Sequence, residues 1–267
     1  MINPFTFLFQ KNRIKALGFV IFLFLISSCG SAQRTLIWEE NFDGTTLNKE
    51  FWNYELGNGC PNLCGWGNNE PQYYTKTNHK VADGLLTISA RKEEDGRYTS
   101  TRITTQNKFE FTYGTIEARA KVATGKGVWP AFWMLGANIT EVGWPLSGEI
   151  DILEYVGKEP DIVFTTIHSK SSYGNTINTK KTKIEDIEDG FHVFAANWTP
   201  DKIDFLVDGK VLYTYAPEEK NEETWPFNKP FYVLLNMAIG GNLGGPEIDD
   251  TIFPQEYVID YIRVYEN

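Results

Sequence analysis

From residue 35 to the C-terminus, apolar and polar residues alternate with the period of two that is typical of β-strands. The decapeptide YGTIEARAKV (113–122) shows the pattern clearly, with apolar residues at every second position. Only Glu218–Trp225 is suited to a short helix. Further strands are predicted over Thr35–Trp38, Val128–Leu135, Glu149–Tyr155, Ile162–His168, Phe191–Asn197, Phe231–Met237 and Tyr257–Tyr265.

Turn signals separate these strands. Asp83-Gly84 and Asp208-Gly209 each lie between two alternating runs, which predicts two β-hairpins. There is no alternation of strands with helices, no solenoid-length repeat and no Pro/Gly/Ser linker. The pattern therefore predicts an all-β fold, a jelly-roll sandwich of two antiparallel sheets formed by a single domain over residues 35–267.

The N-terminal segment has the layout of a secretory signal peptide. Three basic residues, Lys11, Arg13 and Lys15, precede an apolar run over 16–26, and two serines follow it. Eleven apolar residues at about 1.5 Å each are too short for a hydrocarbon core of about 30 Å. We expect residues 1–28 to be a signal peptide, residues 29–34 to be a short tether, and the protein to be exported.

The cleavage site has two alternatives. Cys29 follows the apolar run as in bacterial lipoproteins, which predicts a lipidated N-terminus and an outer-membrane or cell-surface location. Cleavage after Ala32 would instead give a free secreted or periplasmic protein. Under either alternative, we expect no membrane contact except through the lipid.

The other two cysteines, Cys60 and Cys64, lie in one short loop. In an exported protein an even pair of this kind predicts a disulfide, and the spacing is not that of a redox CxxC motif. The formal net charge is −10, and removing the signal peptide makes it more negative. Nucleic acid is therefore not an expected partner.

The segment GEIDILEY (148–155) places three carboxylates on a predicted strand. Glu149 and Asp151 share one face, but strict alternation would put Leu153, not Glu154, beside them. We predict a β-bulge between Asp151 and Glu154 that returns Glu154 to the acidic face.

Three interpretations fit this acidic face. It could be a solvated surface, a calcium site, or the paired carboxylates of a glycoside hydrolase, in which one attacks and a second donates a proton. The Cα atoms of Glu149 and Glu154 would be about 13 Å apart at about 3.3 Å per residue. Retaining enzymes bring their carboxyl groups to about 5 to 5.5 Å, so the sequence leaves retention and inversion open.

Aromatic residues surround this segment, as expected for a cleft that binds the apolar faces of sugars. Trp129 and Trp144, each followed by proline, are predicted to form cleft walls, and Trp66 lies in the loop after the cysteines. The apolar neighbours of Trp133 favour a core position for that residue.

Several motifs together resemble one known family: GEIDILEYVG, GVWPAFWMLG, GWGNNEPQYYT, YTSTRITT, TTIHS, LLNMAIGGNLGG and VIDYIRVY. They resemble glycoside hydrolase family 16, and within it the laminarinase (endo-β-1,3-glucanase) branch, over nearly all of the chain from residue 36. The resemblance implies a jelly roll with a concave substrate cleft and a retaining mechanism. It also implies that Glu149 is the nucleophile, Asp151 the assisting acid and Glu154 the general acid/base.

The resemblance implies further site residues. Substrate contacts would come from the following side chains: Asn68, Arg102, Trp129, Trp133, Trp144 and His168. Catalysis would need no cofactor, and a structural Ca²⁺ would be held by Asn41, Gly84 and Asp260.

The expected function is endo-acting hydrolysis of β-1,3-glucan, with a β-glucan polysaccharide as the partner of a monomeric enzyme. The alternatives within the family are a mixed-linkage β-1,3-1,4-glucanase and another neutral-polysaccharide hydrolase or transglycosylase. An alternative of another class is a non-catalytic glucan-binding jelly roll.

Overall fold

The structure, a computed structural model, describes residues 34–267. The predicted signal peptide, its cleavage sites and Cys29 lie outside the described residues. None of the helical turns within residues 34–267 has the length and hydropathy that a bilayer span requires.

The described chain is built almost wholly from β-strands, with four short helical turns over Cys64–Gly67, Ile139–Val142, Gly241–Gly244 and Asp250–Ile252. The strands are β1 (Leu36–Glu40), β2 (Asn53–Glu55), β3 (Tyr73–Tyr74), β4 (His79–Ala82), β5 (Leu85–Lys92), β6 (Tyr98–Ser100), β7 (Arg102–Thr104), β8 (Glu110–Phe111), β9 (Gly114–Lys121), β10 (Val128–Gly136), β11 (Glu149–Tyr155), β12 (Ile162–His168), β13 (Thr179–Lys183), β14 (His192–Trp198), β15 (Ile203–Val207), β16 (Lys210–Tyr215), β17 (Phe231–Ile239) and β18 (Gln255–Tyr265).

These strands form two sheets. The first, which we call the cleft sheet, has the order β13-β12-β11-β10-β17-β7-β2, with β8 also paired to β17. The second, the outer sheet, has the order β16-β15-β14-β9-β18-β5-β6-β3, with β1 on β18 and β4 on β5. All neighbours are antiparallel except β3 and β6. The predicted sandwich of two antiparallel sheets is confirmed.

The core lies between the sheets and is made by one face of each. On β10 and β17, alternate side chains such as Phe132, Met134, Val233 and Leu235 are fully buried in this core. The residues between them face the other side of the cleft sheet, which is its concave surface. One face of the cleft sheet therefore belongs to the main core, and the other carries smaller apolar clusters among half-buried side chains.

The predicted bulge in β11 is confirmed. Asp151 pairs with Thr166 and Glu154 with Phe164, so two residues of β11 stand opposite one residue of β12. The pairing with β10 shifts at the same place. Both bulge residues, Ile152 and Leu153, are fully buried in the main core. The extra residue therefore keeps Glu154 on the concave surface without exposing an apolar side chain.

The helix predicted over Glu218–Trp225 is wrong. The side chain of Asn221 accepts hydrogen bonds from the backbone N–H groups of Glu223 and Thr224, and the chain forms one turn closed by Trp225 N and Asn221 O at 2.7 Å. Asparagine competes with the helix backbone in this way, and Pro226 favours an extended conformation immediately before it.

Other predicted boundaries differ by one to two residues. The first predicted strand, Thr35–Trp38, forms over Leu36–Glu40, and Phe191–Asn197 forms over His192–Trp198. Phe231–Met237 extends to Ile239, because the two additional residues are also buried and paired with β10.

The predicted disulfide between Cys60 and Cys64 is present. It closes the start of a loop that then crosses the edge of the concave surface. Two hydrogen bonds attach this loop to the end of β17: Ile239 N donates to Gln72 Oε1 at 2.9 Å, and Asn242 N donates to Asn68 O at 2.7 Å. The disulfide loop is thereby fixed beside the cleft sheet.

Candidate active site

The three carboxyl groups of β11 lie together on the concave surface. Asp151 is 4% exposed, and Glu149 and Glu154 are half-buried. The interpretation of this face as a solvated surface is wrong, because a solvated strand face would expose its charges. Burial of three such groups lowers the stability of the fold. Groups that are kept at such a cost are typical of functional sites.

Glu154 is held by neutral donors. Trp129 Nε1 donates to its Oε1 at 3.2 Å, and Thr166 Oγ1 donates to its Oε2 at 3.2 Å. Both donors come from the strands that flank β11, since Trp129 is on β10 and Thr166 is on β12. The carboxyl group is therefore fixed in orientation by the two neighbouring strands.

His168 stands beside the other two carboxyl groups. Its Nε2 is 3.4 Å from Asp151 Oδ2 and 3.7 Å from Glu149 Oε1. Burial lowers the pKa of His168 to about 4, so the imidazole is neutral near pH 7. The resemblance implied a substrate contact for this histidine, and the structure places it at the carboxyl cluster.

Burial raises the pKa of all three carboxyl groups. That of Glu149 rises to about 8 through burial and the charge of Glu154, while the charge of Arg102 and hydrogen bonds from Trp144 and Asp151 act to lower it. Burial raises the pKa of Glu154 to about 7 against its hydrogen bonds from Thr166 and Trp129. The pKa of Asp151 lies well above its usual range because of burial and the charges of both glutamates.

The raised pKa values leave the cluster partly protonated near neutral pH. Arg102 supplies a positive charge that favours the ionised form of Glu149. Glu154 has only neutral hydrogen-bond donors, and although its pKa of about 7 lies below that of Glu149, the nearby charge of Arg102 makes Glu149 the better anion, so Glu154 is the candidate for the proton donor. A cluster with one anionic and one protonated carboxyl group can carry out nucleophilic attack and general acid catalysis together.

An aromatic surface lies on the β10 side of the carboxyl groups. The guanidinium of Arg102 lies over the rings of Trp66 and Trp133, at 4.6 and 4.9 Å from their centroids. Arg102 Nε also donates to Glu55 on the neighbouring strand β2. Arg102 is only 9% exposed, so it supports the two tryptophans and presents little of its own surface to a ligand.

Trp133 is connected to the disulfide loop by a chain of hydrogen bonds. Its Nε1 donates to Asn236 Oδ1 at 2.8 Å, Asn236 Nδ2 donates to Tyr74 Oη at 3.1 Å, and Tyr74 Oη donates to Glu70 Oε2 at 3.2 Å. Glu70 also accepts from Asn68 Nδ2 at 3.1 Å. Two predicted substrate contacts, Asn68 and Trp133, are thus tied to one buried carboxyl group.

Sequence reasoning missed several members of this site. Asn236 had a signal, because it is the only polar side chain in the apolar run FYVLLNMAI. Thr166 lies two residues from His168 and therefore on the same face of β12. Tyr74 and Glu55 had no comparable signal, since neither stands out from its neighbours in the sequence.

The core position predicted for Trp133 is wrong. Trp133 pairs with Asp151 across the sheet and is half-buried on the concave surface, while its neighbours Phe132 and Met134 enter the core. Trp129, predicted as a cleft wall, is on the same surface but buried, where it contacts Glu154. Trp144 is 45% exposed, as expected of a wall.

The carboxyl cluster fits calcium poorly. The donor atoms of Glu149, Asp151 and His168 lie within 4.8 Å of one another, which would suit a divalent cation in spacing. Calcium, however, takes six to eight oxygen ligands and does not favour an imidazole nitrogen. Burial argues against a solvated surface, and the imidazole donor argues against calcium. The geometry therefore supports the third interpretation, a paired-carboxylate site.

The calcium site implied for the outer sheet stays a prediction. Asp260 lies at a bulge of β18, and its Oδ2 accepts a hydrogen bond from Arg119 at 2.5 Å. The Asn41 side-chain oxygen accepts from Arg263 at 3.4 Å. The resemblance implies backbone ligands at Gly84 and near Asn41, so Asp260 is the one expected side-chain ligand, and an ion at this site would compete with Arg119 for its carboxylate.

Comparisons with known proteins agree with this geometry. A family model described as "Glycosyl hydrolases family 16" matches residues 67–263. The chain is 40% identical over 247 residues to a β-glucanase of Rhodothermus marinus, covering 86% of this chain and 84% of the relative. The crystal structure of a laminarinase from Flavobacterium sp. UMI-01 aligns with a TM-score of 0.85 and 63% identity, covering 87% of this chain and all of the other. The laminarinase catalytic domain from Thermotoga maritima aligns with a TM-score of 0.82 and 43% identity over 88% of this chain and 98% of its own.

The raised pKa values predict that the cluster lowers stability at alkaline pH. A carboxyl group whose pKa is higher in the folded state makes its full contribution to stability below the pKa of the unfolded state, which is near 4.5 for Glu149. This contribution is lost as the pH rises through the folded-state pKa of about 8. The neutral variant Asp151→Asn should exceed the wild type in free energy of unfolding, and by more at pH 8 than at pH 5, because only the wild type must ionise or keep protonated a buried carboxyl group as the pH rises. Urea unfolding at both pH values measures this difference.

Asp204 provides a control because its pKa is shifted in the opposite direction from that of Asp151. Burial acts to raise its pKa, but hydrogen bonds from Lys202 and Thr214 hold the pKa below its usual value. Its carboxylate therefore stabilises the folded state above that pKa, and Asp204→Asn should be less stable than the wild type at both pH values. Equal pH dependence in the wild type and Asp151→Asn would contradict the prediction.

Proposed function

Because the chain belongs to glycosyl hydrolases family 16, we propose that the carboxyl groups of β11 make it an endo-acting glycoside hydrolase that cleaves β-1,3-glucan of the laminarin type. The family is a retaining one and its glucanases need no cofactor for catalysis. The observation that carries the proposal is the buried cluster of Glu149, Asp151 and Glu154 on the concave surface of the cleft sheet.

We assign the nucleophile to Glu149. The charge of Arg102 and hydrogen bonds from Trp144 and Asp151 all favour its carboxylate form. Asp151, with its strongly raised pKa, keeps a proton beside Glu149. Glu149 loses its negative charge when it forms a bond to the sugar. The proton of Asp151 remains beside it and can move within the cluster as that charge changes.

We assign the general acid/base to Glu154. Its pKa of about 7 suits a group that must release a proton in one step and accept one in the next. The hydrogen bonds from Trp129 and Thr166 fix its direction. His168, neutral near pH 7, adds a polar contact beside the cluster without adding positive charge.

The reaction then proceeds in two displacements. A Glu149 carboxylate oxygen attacks the anomeric carbon, the bond to the glycosidic oxygen breaks, and Glu154 protonates the departing oxygen. In the second step Glu154 removes a proton from water, the water oxygen attacks the same carbon, and the bond to Glu149 breaks. Two inversions at one carbon give net retention.

Attack within a polymer chain fits the position of the cluster. Strand β11 is an interior strand of the cleft sheet, with β12 and β13 on one side and β10, β17, β7 and β2 on the other. A glucan chain that lies across the concave surface can therefore extend past the carboxyl groups in both directions. This is the arrangement that an endo-acting enzyme requires.

Product analysis tests the proposed substrate. Incubation with laminarin should release short β-1,3 oligosaccharides from internal bonds, at a higher rate than products from mixed-linkage glucan. The variant Glu149→Gln keeps the size of the side chain but not its charge, so it should retain laminarin binding while hydrolysis falls by several orders of magnitude. Hydrolysis of mixed-linkage glucan alone would favour the mixed-linkage alternative, and longer products than the substrates supplied would reveal a transglycosylase.

Azide rescue tests the two assigned roles separately. Azide is a small anionic nucleophile that needs no general base. With an aryl β-glucoside oligomer, Glu154→Ala should form a glycosyl azide of β configuration, since Glu149 still makes the intermediate. Glu149→Ala should form the α product by a single displacement. The anomeric configuration, read by proton NMR, decides the assignment, and exchanged configurations would reverse the two roles.

We further propose that the enzyme is exported as a monomer and is held at the cell surface by a lipid on Cys29. The support is the basic, apolar and small-residue layout of residues 11–29. Replacement of Cys29 by serine should move the protein from the membrane fraction to the soluble fraction of the producing cells. Equal amounts of both proteins in the soluble fraction would favour cleavage after Ala32.

A further inference from the structure

Two exposed aromatic rings form a corner on the β12 side of the carboxyl cluster. Trp144 is 45% exposed and Tyr173 is 48% exposed. Their ring centroids are 5.3 Å apart and their planes meet at 82°, an edge-to-face arrangement in which the two ring planes are turned in different directions. Large aromatic side chains with this much exposure indicate a binding surface when they are adjacent to one another and to a cleft.

The corner is continuous with the active site. The ring of Trp144 is 5.8 Å from that of His168, whose Nε2 lies near both Asp151 and Glu149. Tyr173 is one ring further from the carboxyl groups. A polysaccharide that passes over the cluster toward β12 would therefore meet Trp144 first and Tyr173 next.

Backbone hydrogen bonds hold the segment that carries Tyr173. Ser169 and Ser172 exchange two backbone hydrogen bonds at 3.0 and 3.1 Å, and Ser171 N donates to Glu223 O at 2.9 Å. The Ser172 and Thr176 hydroxyl groups are 2.7 Å apart across the same turn. The orientation of Tyr173 is thus supported by a closed turn rather than by burial of its own ring.

We propose that the Trp144–Tyr173 corner binds successive glucose units of β-1,3-glucan on the β12 side of the scissile bond and favours β-1,3 over β-1,4 linkages there. The inference rests on the proposed function and adds the residues that determine linkage preference. Tyr173, which is not in contact with the carboxyl groups, is the specificity-determining member of the pair.

The geometry of the two polymers supplies the physical reason. A β-1,4-linked glucan is a flat ribbon whose successive rings share nearly one plane, so it stacks best on coplanar aromatic surfaces. A β-1,3-linked chain curves, and the faces of successive glucose rings turn relative to each other. Two aromatic planes at 82° match a chain that turns between one sugar and the next, and they cannot both stack on a flat ribbon.

Kinetic comparison of two substrates tests the proposal. Tyr173→Ala should lower kcat/KM for laminari-oligosaccharides by about tenfold, chiefly through KM, because it removes a stacking surface and leaves the carboxyl groups untouched. The loss on oligosaccharides with β-1,4 linkages beyond the cleaved bond should be less than about twofold. Tyr173→Phe, which keeps the ring and loses the hydroxyl group, should lose much less on laminari-oligosaccharides than Tyr173→Ala does.

Ile177 provides the matched control. It lies in the same segment, is 89% exposed, and its replacement by alanine removes an apolar side chain but no ring. Ile177→Ala should match the wild type on both substrates. Thermal unfolding of each variant verifies the fold, and binding of both oligosaccharides to Glu149→Gln with and without Tyr173→Ala repeats the comparison without turnover.

Three results would overturn the inference. They are unchanged kinetics in Tyr173→Ala, an equal loss on both kinds of substrate, and a loss in Tyr173→Phe as large as that in Tyr173→Ala. Each result is compared with the kinetics of the wild type on laminarin. Failure of the wild type to cleave laminarin would instead refute the proposed function, so the two failures are distinguishable.

Discussion

The structure depends on one costly constraint, the placement of three carboxyl groups on a single face of a buried strand. Water is replaced around Glu149, Asp151 and Glu154 by protein, and their mutual repulsion can be relieved only by retaining protons. The surrounding residues respond to this constraint: Arg102 contributes charge at a distance, Trp129 and Thr166 donate hydrogen bonds, and His168 stays neutral. Catalysis uses the protons that burial forces the cluster to hold.

Much of the architecture was predictable because strand periodicity is a local property. The bulge could be inferred from the spacing of Glu149, Asp151 and Glu154, since no regular strand places all three on one face. The helix expected over Glu218–Trp225 failed because a side-chain hydrogen bond by Asn221 replaced the helical pattern. The core position expected for Trp133 failed because its neighbours were considered without their alternation.

The support behind the cleft was not predictable to the same extent. The hydrogen-bond chain from Trp133 through Asn236 and Tyr74 to Glu70 joins three segments that are remote in sequence, and the links between these segments require the sheet order to be known. Within it every donor points the same way, toward the buried carboxyl group. This network makes the disulfide loop part of the cleft and not only a connection at its edge.

The bulge of β11 has a consequence for how such an enzyme can diversify. Ile152 and Leu153 both enter the main core, so the strand cannot slide by one residue without exposing them and inverting the acidic face. The chemistry is anchored to the interior, whereas Tyr173 lies on an exposed turn outside the main core and away from the carboxyl groups. Mutations in that turn can explore new polysaccharides while the reaction stays intact, so that preference and chemistry are inherited as separable traits.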